Sequence, residues 1–278
     1  RIGIPPLAEQ QRIVAKVHEL MALLDRLEVA RTAREATRDR ITTASLKRLT
    51  APDTTAETFP AYACFAIDAL PALTTRADQL KALRQTIFSL AVRGRLTHQN
   101  ASDEPVSRLL ERIAGDKKAR AVSARDRKAG AIKALACSEA PFDLPPSWIW
   151  VAFGDITISR DGERVPVSKA DRERRAKFYD YYGASGVIDK IDEYLFDKPL
   201  LLIGEDGANL INRATPIAFM ARGKYWVNNH AHVLDGLTEE YLQYLELFIN
   251  AIDLKPFITG TAQPKMNQAR MNSIPVAL

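Results

Sequence analysis

Cysteine is nearly missing from this chain, with two in 278 residues. Cys64 and Cys137 lie far apart and share no C-x-x-C spacing, which excludes a disulfide framework and a zinc knuckle and leaves reduced thiols as the expectation. Long apolar runs are missing too. No stretch of about 18 uncharged apolar residues occurs, so no segment reads as a membrane-spanning helix. The N-terminus lacks the basic, apolar and small-residue order of a signal peptide, and a cytoplasmic location without membrane contact is expected. A phosphate-cradling G-x-x-x-x-G-K-[ST] loop is absent, which removes a nucleotide-driven motor. The Asn/Asp-Pro-Pro-aromatic signature that holds an amino group for methyl transfer is absent as well. The nearest match, Pro145-Pro146-Ser147-Trp148, follows Leu144 and offers no such side chain.

What remains is an ordinary globular composition, 46% hydrophobic and 26% charged, long enough for two domains. The net charge of +5 leans toward a polyanionic partner without specifying one. From Leu7 to Leu49, after Pro5 and Pro6, there is neither proline nor glycine, which predicts one long helix. Its apolar residues Ile13, Val17, Leu20, Leu24 and Leu27 step by four, three, four and three, a heptad stripe fit to pair with another helix or to sit in a bundle. A short helix is expected over Phe59 to Leu70. Another should start after Thr75, with Asp78 as the acidic partner of a capping box, and Leu80, Leu83, Ile87 and Leu90 form its seam. Gly94 suits a helix C-terminus.

Pro105 marks a further helix start, followed by Leu109, Leu110 and Ile113. Beyond Gly115, Lys117, Lys118, Arg120, Arg125, Arg127, Lys128 and Lys133 face only Asp116 and Asp126, which reads as a solvated linker, with phosphate contact as the alternative. From Pro141 the vocabulary changes to strands and turns. Strands are expected at Trp148 to Phe153, Lys177 to Tyr182, Pro199 to Ile203, Pro216 to Met220, Lys224 to Val227 and Ala231 to Leu234, with a helix from about Thr238 carrying Leu242, Leu245, Phe248 and Ile249. The fold class is therefore α+β: a long-helix bundle or coiled-coil spacer over 1–97, a helix and basic linker over 98–140, and an α+β domain over 141–278.

Chemistry at reacting centres is thinly represented. Asp189, Lys190, Asp192, Glu193 and the pair Glu205-Asp206 are the best grouping for a magnesium-dependent nuclease, yet acidic pairs beside glycine are commonly turns. His230 and His232 alternate along an expected strand and should point the same way, with no third metal ligand at a recognisable spacing. No catalytic or metal-binding residue is assigned. Amide, hydroxyl, imidazole and basic side chains lie in Gly-rich loops: Ser185, Asn209, Asn212, Arg213, Asn228, Asn229 and His230, then Thr261, Gln263, Lys265 and Asn267. Arg160, Arg164, Lys169 and Arg174 are interspersed with Asp161, Glu163, Asp171 and Glu173, which allows an exposed salt-bridged segment.

The run Ile4-Pro5-Pro6-Leu7-Ala8-Glu9-Gln10-Gln11-Arg12-Ile13-Val14, continued by Glu19-Leu20-Met21-Ala22-Leu23-Leu24-Asp25-Arg26-Leu27-Glu28, closely resembles the conserved helical region of type I restriction-modification specificity subunits. Leu83-Arg84-Gln85-Thr86-Ile87 through Ala91-Val92-Arg93-Gly94-Arg95-Leu96 is similar to the continuation of that spacer. Leu144-Pro145-Pro146-Ser147-Trp148-Ile149-Trp150 is similar to the opening of a target-recognition domain. Tyr182-Gly183-Ala184-Ser185-Gly186, Leu202-Ile203-Gly204-Glu205-Asp206-Gly207 and Val227-Asn228-Asn229-His230-Ala231-His232-Val233 resemble runs inside such domains, and Met271-Asn272-Ser273-Ile274-Pro275-Val276 resembles their closing strand. The resemblance covers one helical region and one recognition domain, half of the family's repeated pattern.

The resemblance implies a non-catalytic subunit that reads double-stranded DNA, with the polar groups of those Gly-rich loops, Ser185 to His230 and Thr261 to Asn267, as candidates for base edges and Arg160, Arg164, Lys169 and Arg174 as candidate phosphate contacts. Methyltransferase subunits and a motor-nuclease subunit would be its partners, along with a second copy of the chain or the other half of a longer subunit. It implies no cofactor in this chain, with S-adenosylmethionine, ATP and magnesium belonging to those partner subunits. The alternative reading is a helical dimerisation scaffold whose strand-rich domain binds protein or RNA.

Overall fold

An uninterrupted run without proline or glycine leaves every backbone N–H free to bond four residues back, and α1 spans Leu7–Leu49 with Pro6 at its N-cap. The computed structural model describes residues 3–55, 57–100, 102–120, 130–136, 141–260 and 262–278. Arg125, Asp126, Arg127 and Lys128 of the basic run, Cys137 and the candidate contact Thr261 lie outside the described residues. The chain separates into two units, Arg1–Thr86 and Ile87–Leu278.

In the first unit α1 packs with α2 (Phe59–Asp68) and α3 (Leu70–Leu73), burying Thr42, Leu46 and Leu49 near its C-terminus. The heptad stripe is uncovered: Ile13, Val17, Leu20, Leu24 and Leu27 are 44 to 56% exposed. Helix α4 (Ala77–Val92) is capped differently from expectation. Gln79 Oε1, not Asp78, accepts from the Thr75 and Arg76 backbone N–H groups and from the Thr75 hydroxyl. Asp78 instead pairs with Arg76, whose guanidinium also reaches Glu35 and Asp39 of α1, an interaction that draws the carboxylate away from the cap.

The division at Thr86 and Ile87 falls ahead of the boundary expected at residue 97, because Val92 is buried in the same core as Ile113 and Trp150. Of the α4 seam, Leu80 and Ile87 are exposed, Leu83 is half-buried and Leu90 is buried. Gly94 adopts a positive φ of 64°, and a Cβ there would meet Pro145 Cγ at 2.5 Å, so this helix end needs glycine twice over.

The described ends of the basic run are not a solvated linker. Helix α5 (Val106–Ala119) buries Lys117, which donates to the Gly154 carbonyl, and Arg120 donates to the Gly236 carbonyl at 2.6 Å. Ile132 and Leu135 pack on the core, and the Leu135 N–H donates to the Trp150 carbonyl at 2.8 Å. Each of these cations keeps a hydrogen-bond acceptor where it is buried, which offsets the loss of full hydration.

Among the described residues ten strands form three sheets. β1 (Trp150–Ala152) pairs with β10 (Pro275–Ala277). A second sheet runs β2 (Ile158–Ser159), β9 (Ala231–Asp235), β6 (Leu200–Gly204), β7 (Ala218–Ala221), all antiparallel. The third runs β4 (Gly186–Ile191), β3 (Tyr179–Gly183), β8 (Lys224–Val227), β5 (Phe196–Asp197), with β3 and β8 parallel. All six expected strands are present, with ends within two residues of those expected, whereas β2, β4 and β5 were not expected. Asp189 and Lys190, grouped above with nuclease carboxylates, are strand residues of β4.

β6 is buried throughout and alternates its side chains. Leu201 and Ile203 join the core formed with the helix Glu239–Ala251, while Leu200 and Leu202 join Phe196, Tyr225, Val227, Ala231 and Val233 between the two four-stranded sheets. Thr238 caps that helix as expected, its hydroxyl accepting from the Tyr241 N–H. No helix among the described residues is long and apolar enough to cross a membrane.

Phe248 is fully buried and meets Trp150 edge to face at 6.3 Å between centroids. Phe248→Ala should lower the unfolding free energy by about 3–5 kcal/mol. Urea denaturation followed by tryptophan fluorescence reads this, and a loss well under 1 kcal/mol would contradict the packing described.

Candidate nucleic-acid interface

The parallel pairing of β3 with β8 brings the C-terminal ends of both strands together, and the Asn228 N–H donates to the Tyr182 carbonyl. The Gly183–Gly186 turn comes so close to β6 that a Cβ on Gly204 would strike the Ala184 carbonyl oxygen at 2.6 Å. Past Gly204, Glu205 N–H donates to the His230 carbonyl, Gly207 N–H to the Pro264 carbonyl, and Met266 N–H to the Glu205 carbonyl. Four stretches, 183–186, 205–213, 228–230 and the described residues of 259–267, are thus gathered at one end of the two sheets.

Within that gathering Ser185, Asn212, Asn229, His230, Gln263, Lys265 and Asn267 are exposed. Asn267 is partly committed, because its Oδ1 accepts from Arg270 N–H and caps the short helix Gln268–Asn272. His230 bonds Asp206 through Nδ1 at 2.7 Å, and Lys265 Nζ lies 3.1 Å from Glu205 Oε1.

Other expected contact residues are structural. Asn228 is buried, with Oδ1 accepting from the His230 N–H. Asn209 closes the following loop by exchanging two hydrogen bonds with the Thr215 backbone. Arg213 sits in left-handed geometry (φ 47°) and donates to the Asn250 carbonyl; burial lowers its pKa, although it stays charged. Arg160 and Arg164, proposed as phosphate contacts, are largely buried in ion pairs. Arg160 reaches Asp235 at 2.9 Å, and Arg164 reaches Glu205 and the Ala231 carbonyl, each at 2.8 Å. Lys169 is exposed and lies 3.8 Å from Glu173; Arg174 is exposed, and its guanidinium has no hydrogen bond or ion pair among the described residues. The 160–177 segment is chiefly salt-bridged, since Arg172 and Lys177 share Asp189 while Arg175 holds Asp192 and Glu193.

Those pairings also occupy the carboxylates considered for a nuclease. Lys177, Arg172 and the Lys190 N–H push Asp189 far below the usual carboxylate range. Glu205 is shifted down as well: burial opposes ionisation, but Arg164, His232 and Lys265 outweigh it. Among the described residues no group of three His, Cys, Asp or Glu side chains is placed to hold a metal ion. His230 and His232 do not point the same way. His230 lies in the turn before β9 and is half exposed, whereas His232, on the strand, is 1% exposed and bonds Asp161 and the Met266 carbonyl.

Sequence reasoning missed Asp235, the charge centre of the second unit. It is buried beneath Arg120, Arg160 and Lys198. Burial alone would raise its pKa, but Lys198, Arg120 and Arg160 hold it below the usual carboxylate range. Nothing local marks Asp235, since its partners come from three distant stretches of chain.

Residues 147–278 match the family described as the type I restriction modification DNA specificity domain. Two curated relatives are specificity subunits from Escherichia coli. This chain is 34% identical over 155 residues to that of the type I restriction enzyme EcoAI, covering 56% of this chain and 26% of the relative. It is 26% identical over 301 residues to that of EcoEI, covering 100% and 50%. A solved structure, the HsdS subunit from Thermoanaerobacter tengcongensis, is 15% identical with a TM-score of 0.33 and covers 99% of this chain and 47% of that one. The strand-rich part therefore falls in the class of DNA specificity domains. The chain as a whole is similar to type I restriction-modification specificity subunits, and it spans half or less of the length of these curated relatives.

Asp235→Ala would leave three cations around a buried site and should cost about 3–5 kcal/mol in denaturant titrations. The sign with pH follows from the lowered pKa. The contribution of Asp235 is present above its unfolded value of about 3.9 and is lost as pH falls through the lower folded value. Wild-type stability should thus converge on that of the variant in acid, and a gap that stays constant down to about pH 2 would contradict this assignment.

Proposed function

We propose that this chain reads one half of an interrupted double-stranded DNA site as a non-catalytic specificity component. Methyltransferase and motor-nuclease partner chains would supply S-adenosylmethionine, ATP and magnesium chemistry. The observation that carries this is the gathering of four loops with Ser185, Asn212, Asn229, His230, Gln263 and Lys265 exposed at one end of two sheets whose interiors are closed. Amide, hydroxyl and imidazole groups of that kind match the donor and acceptor pattern of base edges in the major groove. The uncovered stripe Ile13, Val17, Leu20, Leu24 and Leu27 supports pairing of α1 with a helix from outside this stretch of chain, either a second copy or the remainder of a longer subunit.

Selection of bound duplexes from a random-sequence pool, at about 0.15 M salt with and without the methyltransferase partner, tests the reading. Enrichment of a short defined half-site is expected. Failure to enrich in both arrangements would overturn it and favour a scaffold that binds protein or RNA. Lys265→Ala should weaken binding to all sequences and lower the salt slope by about one, while Gln263→Ala should relax preference at one position. Unchanged salt dependence and preference would remove the 259–267 segment from the interface.

A further inference from the structure

The loop gathering is held from inside by one histidine. His232 Nδ1 lies 2.7 Å from Asp161 Oδ2, and Nε2 lies 2.9 Å from the Met266 carbonyl oxygen. Both partners can only accept, so both ring nitrogens must carry protons. Either neutral tautomer would point a lone pair at an oxygen. Asp161 is committed on its other side, with Oδ1 accepting from the Val233 N–H at 2.8 Å.

Two carboxylates face the ring, and each is shared with a cation. Asp161 comes from the 3-10 turn Asp161–Glu163, and Glu205, at the end of β6, is 3.9 Å from Nδ1. Arg164 joins both of these carboxylates, and Lys265 from the 259–266 hairpin caps Glu205. Asp206 and His230 pair with each other nearby. Met266 is fully buried, and its N–H and C=O tie the hairpin to Glu205 and His232 respectively.

Resting on the DNA-recognition reading above, we propose that His232 is a positioning residue for that recognition. Its doubly protonated ring fixes the 259–266 hairpin and the Asp161 turn against β9, and losing one proton frees the hairpin and weakens sequence-specific binding. The sign follows from the pair of donors. Burial disfavours the charged ring, but Asp161, the Met266 carbonyl and Glu205 outweigh it and raise its pKa above the ordinary value. The clamp is complete below about pH 6.5 and is lost as pH rises through the raised value.

Three readouts on the full chain test this. Nitrogen-15 NMR of the wild-type ring should show both nitrogens protonated at about pH 7, with one proton lost at higher pH. Amide exchange at Thr259, Lys265 and Met266 should accelerate about tenfold beyond intrinsic base catalysis across that same titration. Affinity for a selected duplex should fall about tenfold over the window, and His232→Gln should bind weakly at every pH with that step abolished. A singly protonated ring at about pH 7, or hairpin exchange indifferent to its titration, overturns the proposal without reference to DNA or to folding of the variant. Absence of any duplex preference at all pH values defeats the recognition reading instead, while the ring and exchange measurements still decide the role of His232.

Discussion

β6 has no solvent face, and this constraint organises the second unit. Its five residues are all buried, so one edge must pair with β9, the other with β7, and its two faces must meet a helix and a second sheet. The strand ends at Gly204, where the chain passes directly under the Ala184 carbonyl. At this end Glu205, Gly207, Asn228 and Met266 are tied by backbone bonds to that strand end or to its neighbours. The polar tips thus stand on a rigid base although few belong to regular structure.

Charge does what the sheets cannot in the connecting stretches. The segment from Arg160 to Lys177 has little secondary structure, yet it is stitched down by Asp235, Glu205, Asp189, Asp192 and Glu193. The C-terminal end of α5 is tied in the same way through Lys117 and Arg120. Most of these are partly buried, hydrogen-bonded pairs. They specify where a loop lies more than they add to stability, because desolvation consumes much of the Coulombic gain.

Long uninterrupted patterns were legible in sequence. The helix Leu7–Leu49, the amphipathic helix after Thr238 and the continuous apolar strand at Leu200 each carry a period or run that only one element satisfies. β4 was not legible, because Gly186-Val187-Ile188-Asp189-Lys190-Ile191 leaves Val187 and Ile188 exposed and carries charges used in pairs with Arg172, Lys177 and, across to β3, Asp180. At the candidate interface, residue type located the loops but could not separate tips from struts. Asn228 and Asn229 are neighbours of identical chemistry, one buried and holding a turn, the other exposed. Only the fold distinguishes them, as it does His230 from His232.

The internal pairing of the arginines changes what the net charge of +5 means. Arg120, Arg160, Arg164, Arg172 and Arg175 all face carboxylates of their own unit, so their field largely cancels beyond the first few ångströms. A surface built this way grips an arbitrary polyanion weakly and must draw its discrimination from contact at short range. For a reader of DNA, that lowers residence on random sequence more than on the correct one. On the proposed function, the ratio between the two, not the absolute affinity, is what the buried ion pairs protect.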